Sequence, residues 1–160
     1  MARPRWLDAT EQRAWRSFIQ SQSQLNAVLG RELQQQSELS VQDYAVLVTL
    51  SESPGGRMRP NELAKALAWE KSRLSHQVTR MAKRGQLRRE RCPTDDRGSF
   101  VALTPEGSRA ISSAAPGHVA SVRSHFIEVL SVPELEALTR ITEKVLAALG
   151  EQAPDCAAET

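Results

Sequence analysis

Between Lys71 and Arg97 the chain carries a helix-period pattern, then turn residues, then alternation, and few folds accommodate that succession. With Leu74 taken as zero and each residue advancing by about 100°, Val78 and Met81 fall within about 40° of it, while Ser72, His76, Thr79 and Lys83 gather near the opposite side with Arg73 and Arg80 beside them. The spacing predicts an amphipathic helix with one packing stripe and one outward face. Gly85 is placed to end it in a left-handed cap. Leu87 to Cys92 and Ser99 to Leu103 then read as two short strands around Pro93-Thr94-Asp95-Asp96-Arg97-Gly98, a run of residues suited to a tight reversal. Val101 and Leu103 share the core side of that hairpin. These 27 residues carry a net charge of +6, and the remaining 133 carry −4, so the whole-chain value of +2 hides a polarised molecule. A concentrated basic patch is what phosphate binding requires, and a solvated helix face is the plainer alternative.

Composition sets the surroundings. At 160 residues and 40% hydrophobic the chain can bury a core, and with three Trp, three Phe and one Tyr among abundant Leu, Ala, Gln, Glu and Arg it favours helix over sheet. The expected class is mainly α with a small β element. No apolar run approaches the roughly 18 residues of a membrane span, and the basic start lacks the apolar segment of a signal peptide, so a cytoplasmic protein is expected. Cys92 and Cys156 have no metal-type or redox-type spacing and read as free thiols. No nucleophile motif, metalloprotease motif or phosphate-binding glycine loop occurs, so no enzyme activity and no cofactor are expected. His118 and His125 stand two helical turns apart, too far to share a metal, and no metal site is expected.

Taken in order, Thr10 is the expected cap of a helix of about seven turns in which Trp15, Phe18, Ile19, Gln22, Leu25, Leu29 and Leu33 recur at steps of three and four. A partner chain or this subunit's own core could cover that stripe. Ser40 and Asp43 form a capping-box pattern ahead of a helix from Val41 to about Glu52. Ser53-Pro54-Gly55-Gly56 breaks it, Met58 can make a brief strand contact, and Pro60 opens a short helix that buries Leu63, Ala64 and Leu67. A turn around Trp69 and Glu70, without the glycine often found there, leads into the basic helix. Two helices joined so tightly describe a helix-turn-helix, whose second helix enters the major groove. Arg97, at the tip of the hairpin, is placed to reach a minor groove, with Asp95 able to brace its guanidinium.

Thr104-Pro105-Glu106 starts the next helix, with Ile111, Ala115, His118, Val122, Phe126, Val129 and Leu130 tracing its inner face. Pro116-Gly117 predicts a kink or a split within it. Ser131 to Glu134 starts the last helix, whose stripe is Leu135, Leu138, Ile141, Val145 and Leu149, and residues after Gly150 read as a tail. The first and last helices flank the basic unit, and their amphipathicity predicts that they pair as a dimerisation region.

The helix-turn-helix, the hairpin with Asp95-Asp96-Arg97-Gly98 and the element Leu103-Thr104-Pro105-Glu106-Gly107, bracketed by long helices, resemble the MarR family of bacterial transcription regulators over about residues 10–149. The resemblance implies one domain over 1–160. Within it, a winged helix-turn-helix DNA-binding region would cover about 36–104, a helical dimerisation region about 8–35 and 105–149, and a tail 150–160. It further implies a homodimeric repressor on a near-palindromic site in double-stranded DNA, with half-sites roughly 34 Å apart. On that template Ser72, Arg73, Ser75, His76, Gln77 and Arg80 are candidates for base edges or adjacent phosphates. Lys83, Arg84, Arg88 and Arg91 are candidates for phosphates, with solvated surface charge as the other reading. Many members release DNA on binding a small aromatic or phenolic acid. Pro60, Ser75 and Arg89 fall at positions resembling a salicylate site of the family, and Trp15, Phe18, Tyr44 and His118 are a second candidate lining. The alternative is a DNA-binding protein of the same fold that answers to no effector.

Overall fold

A computed structural model describes residues 5–92 and 95–151, and of residues 92, 95–98 and 151 it describes the backbone alone. Helix α1 spans Ala9–Ser37, α2 Val41–Ser51, α3 Pro60–Ala66, α4 Lys71–Lys83, α5 Pro105–Val122 and α6 Val132–Glu151. Strands β1 (Arg57–Met58), β2 (Leu87–Cys92) and β3 (Asp95–Leu103) form one antiparallel sheet in the order β1-β3-β2. The second hairpin strand is thus longer than the expected Ser99–Leu103, since its pairing with β2 continues to Cys92 opposite Asp95 through an irregularity after Arg91.

The helix starts are built from local chemistry. Asp8, rather than Thr10, caps α1: its carboxylate accepts from the Thr10 and Glu11 amides at 2.8 and 2.9 Å, while Glu11 accepts from the Asp8 amide at 2.9 Å. Ser40 and Asp43 make the same reciprocal arrangement at α2. Pro60 occupies the first turn of α3, where its missing N–H leaves nothing unpaired.

The described residues divide into two compact units, one ending at Ser121 and the other starting at Val122. In the first, Leu47 and Leu50 of α2, Leu63 of α3, Val78 and Met81 of α4 and Val101 of β3 are almost completely buried together, with Ile111 and Ala114 of α5 packed into the same core. Toward its N-terminus α1 leaves that core: Leu33 is buried, whereas Trp15, Phe18 and Ile19 are exposed. Helix α5 is not split at Pro116, and the irregularity comes later, as a π-type turn over Arg123–Ile127. The proline removes one intrahelical hydrogen bond, and burial of Ile111 and Ala114, five and two residues before it, holds the helix on course. In the second unit α6 leaves Ile141, Val145, Leu146 and Leu149 exposed while Leu135 and Leu138 are half-buried, so the later part of its apolar stripe is uncovered in a single chain.

Candidate nucleic-acid interface

The site is assembled around α4. Helix α3 ends in a Schellman turn: the Ala68 amide donates to Lys65 O at 3.1 Å and the Trp69 amide to Ala64 O at 2.9 Å, with Ala68 in the left-handed region at φ 51°. An alanine therefore does what a glycine does in many such turns, and the chain reverses into α4 over the four residues Leu67 to Glu70. Leu74, Val78 and Met81 lock α4 onto the core, each 3% exposed or less. That leaves Ser72, Arg73, Ser75, His76, Thr79, Arg80 and Lys83 exposed. Glu70, at the N-cap, gives no side-chain cap, so the first-turn amides of α4 remain available at a positive dipole end flanked by Lys71 and Arg73.

Gln77 departs from its expected place among the base readers. It is 3% exposed, its amide donates to Asp43 Oδ1 at 2.6 Å, and its carbonyl oxygen accepts from the Arg80 guanidinium. At one residue short of Val78, Gln77 sits next to the packing stripe, and a buried amide must be hydrogen-bonded. Arg84, expected at phosphates, ion-pairs with the same Asp43 carboxylate. Asp43 is thus more than a cap: 3% exposed, it ties the start of α2 to the last two turns of α4. Burial alone would raise its pKa, but hydrogen bonds from Arg84 and Ser40, with the Arg84 charge, outweigh burial and hold the carboxyl below the usual range. Arg80, Lys83 and Arg84 also line an open depression of about 470 Å³ with Glu38 and Asp43.

The wing is braced at its base. Register places Arg88 and Arg57 opposite Ala102 and Glu90 opposite Phe100, so these side chains share a face. Glu90 accepts from Arg88 and Arg57 in ion pairs of 2.6 and 3.1 Å, and those bonds lower its pKa. The Arg57 and Arg59 guanidiniums lie 5.0 and 5.5 Å from the Phe100 ring centroid. Arg91 is exposed opposite Ser99. The side chains of Asp95 and Arg97 lie outside the described residues.

At the far end of α4, the Gly85 amide donates to Ala82 O at 2.9 Å and the Gln86 amide to Met81 O at 3.0 Å, a second Schellman turn with Gly85 at φ 74°. Thr104 fastens this turn to α5. Its hydroxyl donates to Gly85 O at 2.6 Å and accepts from the Gly107 amide at 3.0 Å, and its own amide donates to Gln86 O at 3.2 Å. Gly107 lies so close to the Gln86 carbonyl that no Cβ fits between them. The Leu-Thr-Pro-Glu-Gly element is therefore a clamp on the end of α4.

Comparison with known proteins agrees with this geometry. The sequence model of the MarR family matches residues 37–98, from the end of α1 to the wing. Transcriptional regulator HosA of Escherichia coli O111:H- is 34% identical over 110 residues, 68% of this chain and 78% of HosA. The chain belongs to the MarR family. Two solved MarR family regulators from Streptomyces coelicolor share the fold at a TM-score of 0.88. AbsC is 44% identical, with 93% of this chain and all of AbsC covered, and Sco3205, crystallised in complex with DNA, is 42% identical, with 98% and 97% covered.

Of the ligand candidates suggested by the MarR resemblance, Pro60, Ser75 and Arg89 come together in one small cavity of about 110 Å³ that Lys71, Leu74, Val78 and Val101 also line. Register explains Arg89: on β2 it stands opposite Val101, on the sheet face that turns toward the core. The second set separates into pairs. Trp15 and Phe18 stand 6.3 Å apart on the exposed part of α1, and Tyr44 and His118 pack ring to ring at 4.3 Å. The depression beside Trp15 is lined by α1 alone. Burial lowers the pKa of His118, and burial with the Glu52 charge raises that of Tyr44. Among the described residues no three His, Cys, Asp or Glu side chains gather to hold a metal, and no helix is long and apolar enough to cross a membrane.

Proposed function

We propose that this MarR family regulator acts as a cytoplasmic homodimeric repressor, laying α4 of each subunit in successive major grooves of a near-palindromic operator. The observation that carries this reading is the division of α4 into a sealed inner stripe and an outer face of Ser72, Arg73, Ser75, His76, Arg80 and Lys83. The DNA complex of Sco3205, similar along nearly the whole chain, supports it. Ser72, Arg73, Ser75 and His76 take base edges or adjacent phosphates, Arg80 and Lys83 lie on the same outer face, and Arg88 and Arg91 serve phosphates from the wing, with Arg97 directed at the minor groove and Asp95 bracing it. The exposed apolar residues of α1 (Trp15, Phe18, Ile19) and α6 (Ile141, Val145, Leu146, Leu149) support self-association through residues of about 8–35 and 105–149. The cavity of Pro60, Ser75 and Arg89 supports release by a small aromatic or phenolic acid, its carboxylate meeting the Arg89 guanidinium.

Titration onto duplex DNA from upstream of the protein's own gene, and onto a shuffled duplex, tests the reading at several salt concentrations. An affinity ratio of about 10³ or more that falls steeply with salt is expected. A ratio near one across candidate upstream duplexes overturns sequence-specific recognition. For the ligand, a thermal shift with salicylate that Arg89→Ala abolishes is expected, and no shift leaves effector-free regulation as the reading.

A further inference from the structure

Arg73 is the one arginine on the outer face of α4 whose hydrogen-bonding edges meet no partner among the described residues, because Arg80 is bonded to Gln77. It is nevertheless held. Its guanidinium carbon lies 4.4 Å from the ring centroid of Trp69. Trp69 is half-buried and packed against the core, and its backbone is pinned by the bond to Ala64 O and by the left-handed Ala68 before it. The indole is therefore seated on the core beneath Arg73. Stacking occupies the face of a guanidinium and leaves its in-plane N–H groups open, the fork that reads O6 and N7 of guanine.

We propose that Trp69 is a specificity-determining positioning residue. Its indole holds the Arg73 guanidinium stacked and fork outward, ready for a guanine edge, so base preference where Arg73 reads depends on a side chain that reads no base itself. This rests on α4 being the groove-reading helix. Pre-ordering removes part of the side-chain ordering that binding otherwise requires, so losing the indole should reduce discrimination by roughly three- to tenfold.

The test compares wild type, Trp69→Leu, Trp69→Phe, Arg73→Ala and the double variant Trp69→Leu/Arg73→Ala on the upstream duplex and on duplexes with single base-pair changes. Trp69→Leu should weaken discrimination at the base pairs that Arg73→Ala affects and nowhere else, Trp69→Phe should fall between it and wild type, and Trp69→Leu should add nothing once Arg73 is gone. Uniform weakening, or losses that add in the double variant, would show Trp69 to be structural and overturn the proposal. Thermal denaturation identifies a variant that has not folded, and Arg73→Lys, which keeps charge but not the planar fork, then carries the comparison and should reproduce the Arg73→Ala profile. A second readout needs no DNA: the Arg73 Nε–H resonance should be shifted upfield by the indole ring current in wild type and return in Trp69→Leu. An unshifted resonance overturns the stack. A shifted resonance in a protein that binds every duplex alike overturns the groove reading instead.

Discussion

The two turns that bracket α4 use the same pair of backbone hydrogen bonds, yet one has alanine at its left-handed position and the other glycine. They also differ in what surrounds them. Past Gly85 the chain is fastened by Thr104, by the contact of Gly107 with the Gln86 carbonyl and by the Arg84–Asp43 ion pair. Past Ala68 the next residue, Trp69, contributes a side chain, stacked on Arg73, and Glu70 caps nothing. The C-terminal end of α4 is thus bolted to α2 and α5, while the end carrying Ser72 and Arg73 is positioned by a turn and by the contact with Trp69. Ser72 and Arg73, proposed above to face the groove, lie at the end of α4 that is tied to fewer elements.

The sharpest way to break this contrast is at the clamp. A methyl group at Gly107 would meet the Gln86 carbonyl oxygen, a backbone atom that cannot rotate away. Gly107→Ala should therefore lower stability by about 3 kcal/mol, at the upper end of overpacking effects. Urea denaturation measures it, and a loss under about 0.5 kcal/mol would mean that α5 is not what fixes the end of α4.

Asp43→Asn comes next. It weakens the cap of α2 and leaves Arg84 without a charge partner, for a loss of about 2 kcal/mol at neutral pH. Because the folded-state pKa of Asp43 is lowered, its contribution is complete above the ordinary aspartate range and is lost as pH falls through the folded value. The gap between wild type and Asp43→Asn should hold from neutral pH to about pH 5 and then close below about pH 4. A gap independent of pH would show that the carboxylate charge is not what ties α2 to α4.

Much of this is readable in the sequence, and the exceptions have more than one cause. Pro60, the Ser40–Asp43 box and Thr104-Pro105-Glu106 act within one turn, so they mark α2, α3 and α5 without knowledge of the fold. The stripe of Leu74, Val78 and Met81 identified the packed face of α4 for the same reason. The bonds of Gln77 and Arg84 to Asp43 are not legible in the sequence, because that partner is 34 and 41 residues away and leaves no mark on local periodicity; Gln77 is buried there while Arg84 stays exposed. The Asp8–Glu11 box is local and legible, since aspartate is preferred over threonine as a helix cap and Glu11 stands three residues on. Pro116 argued against a continuous helix, and packing of α5 on the core outweighed it. The stack of Arg73 on Trp69 spans four residues, yet it depends on a left-handed alanine that no residue preference predicts.

Exchanging the two left-handed residues sharpens the contrast further. Alanine in that region costs about 1–2 kcal/mol, and its stiffer unfolded chain returns about 0.4–1 kcal/mol, so Gly85→Ala should destabilise by about 1 kcal/mol. Its φ of 74° lies just beyond the well that L-residues occupy, which places it toward the larger cost. Ala68, at φ 51°, sits inside that well, so Ala68→Gly should gain only about 0.5 kcal/mol by the same arithmetic. The exchange at position 68 also separates turn from stack. Ala68→Gly leaves the backbone bonds and the indole in place, so base discrimination should stay at the wild-type ratio while the melting temperature rises slightly. If discrimination falls instead, the alanine's resistance to other backbone conformations is what aims the indole, and the N-terminal end of α4 is held by its turn as firmly as the C-terminal end is held by its clamp.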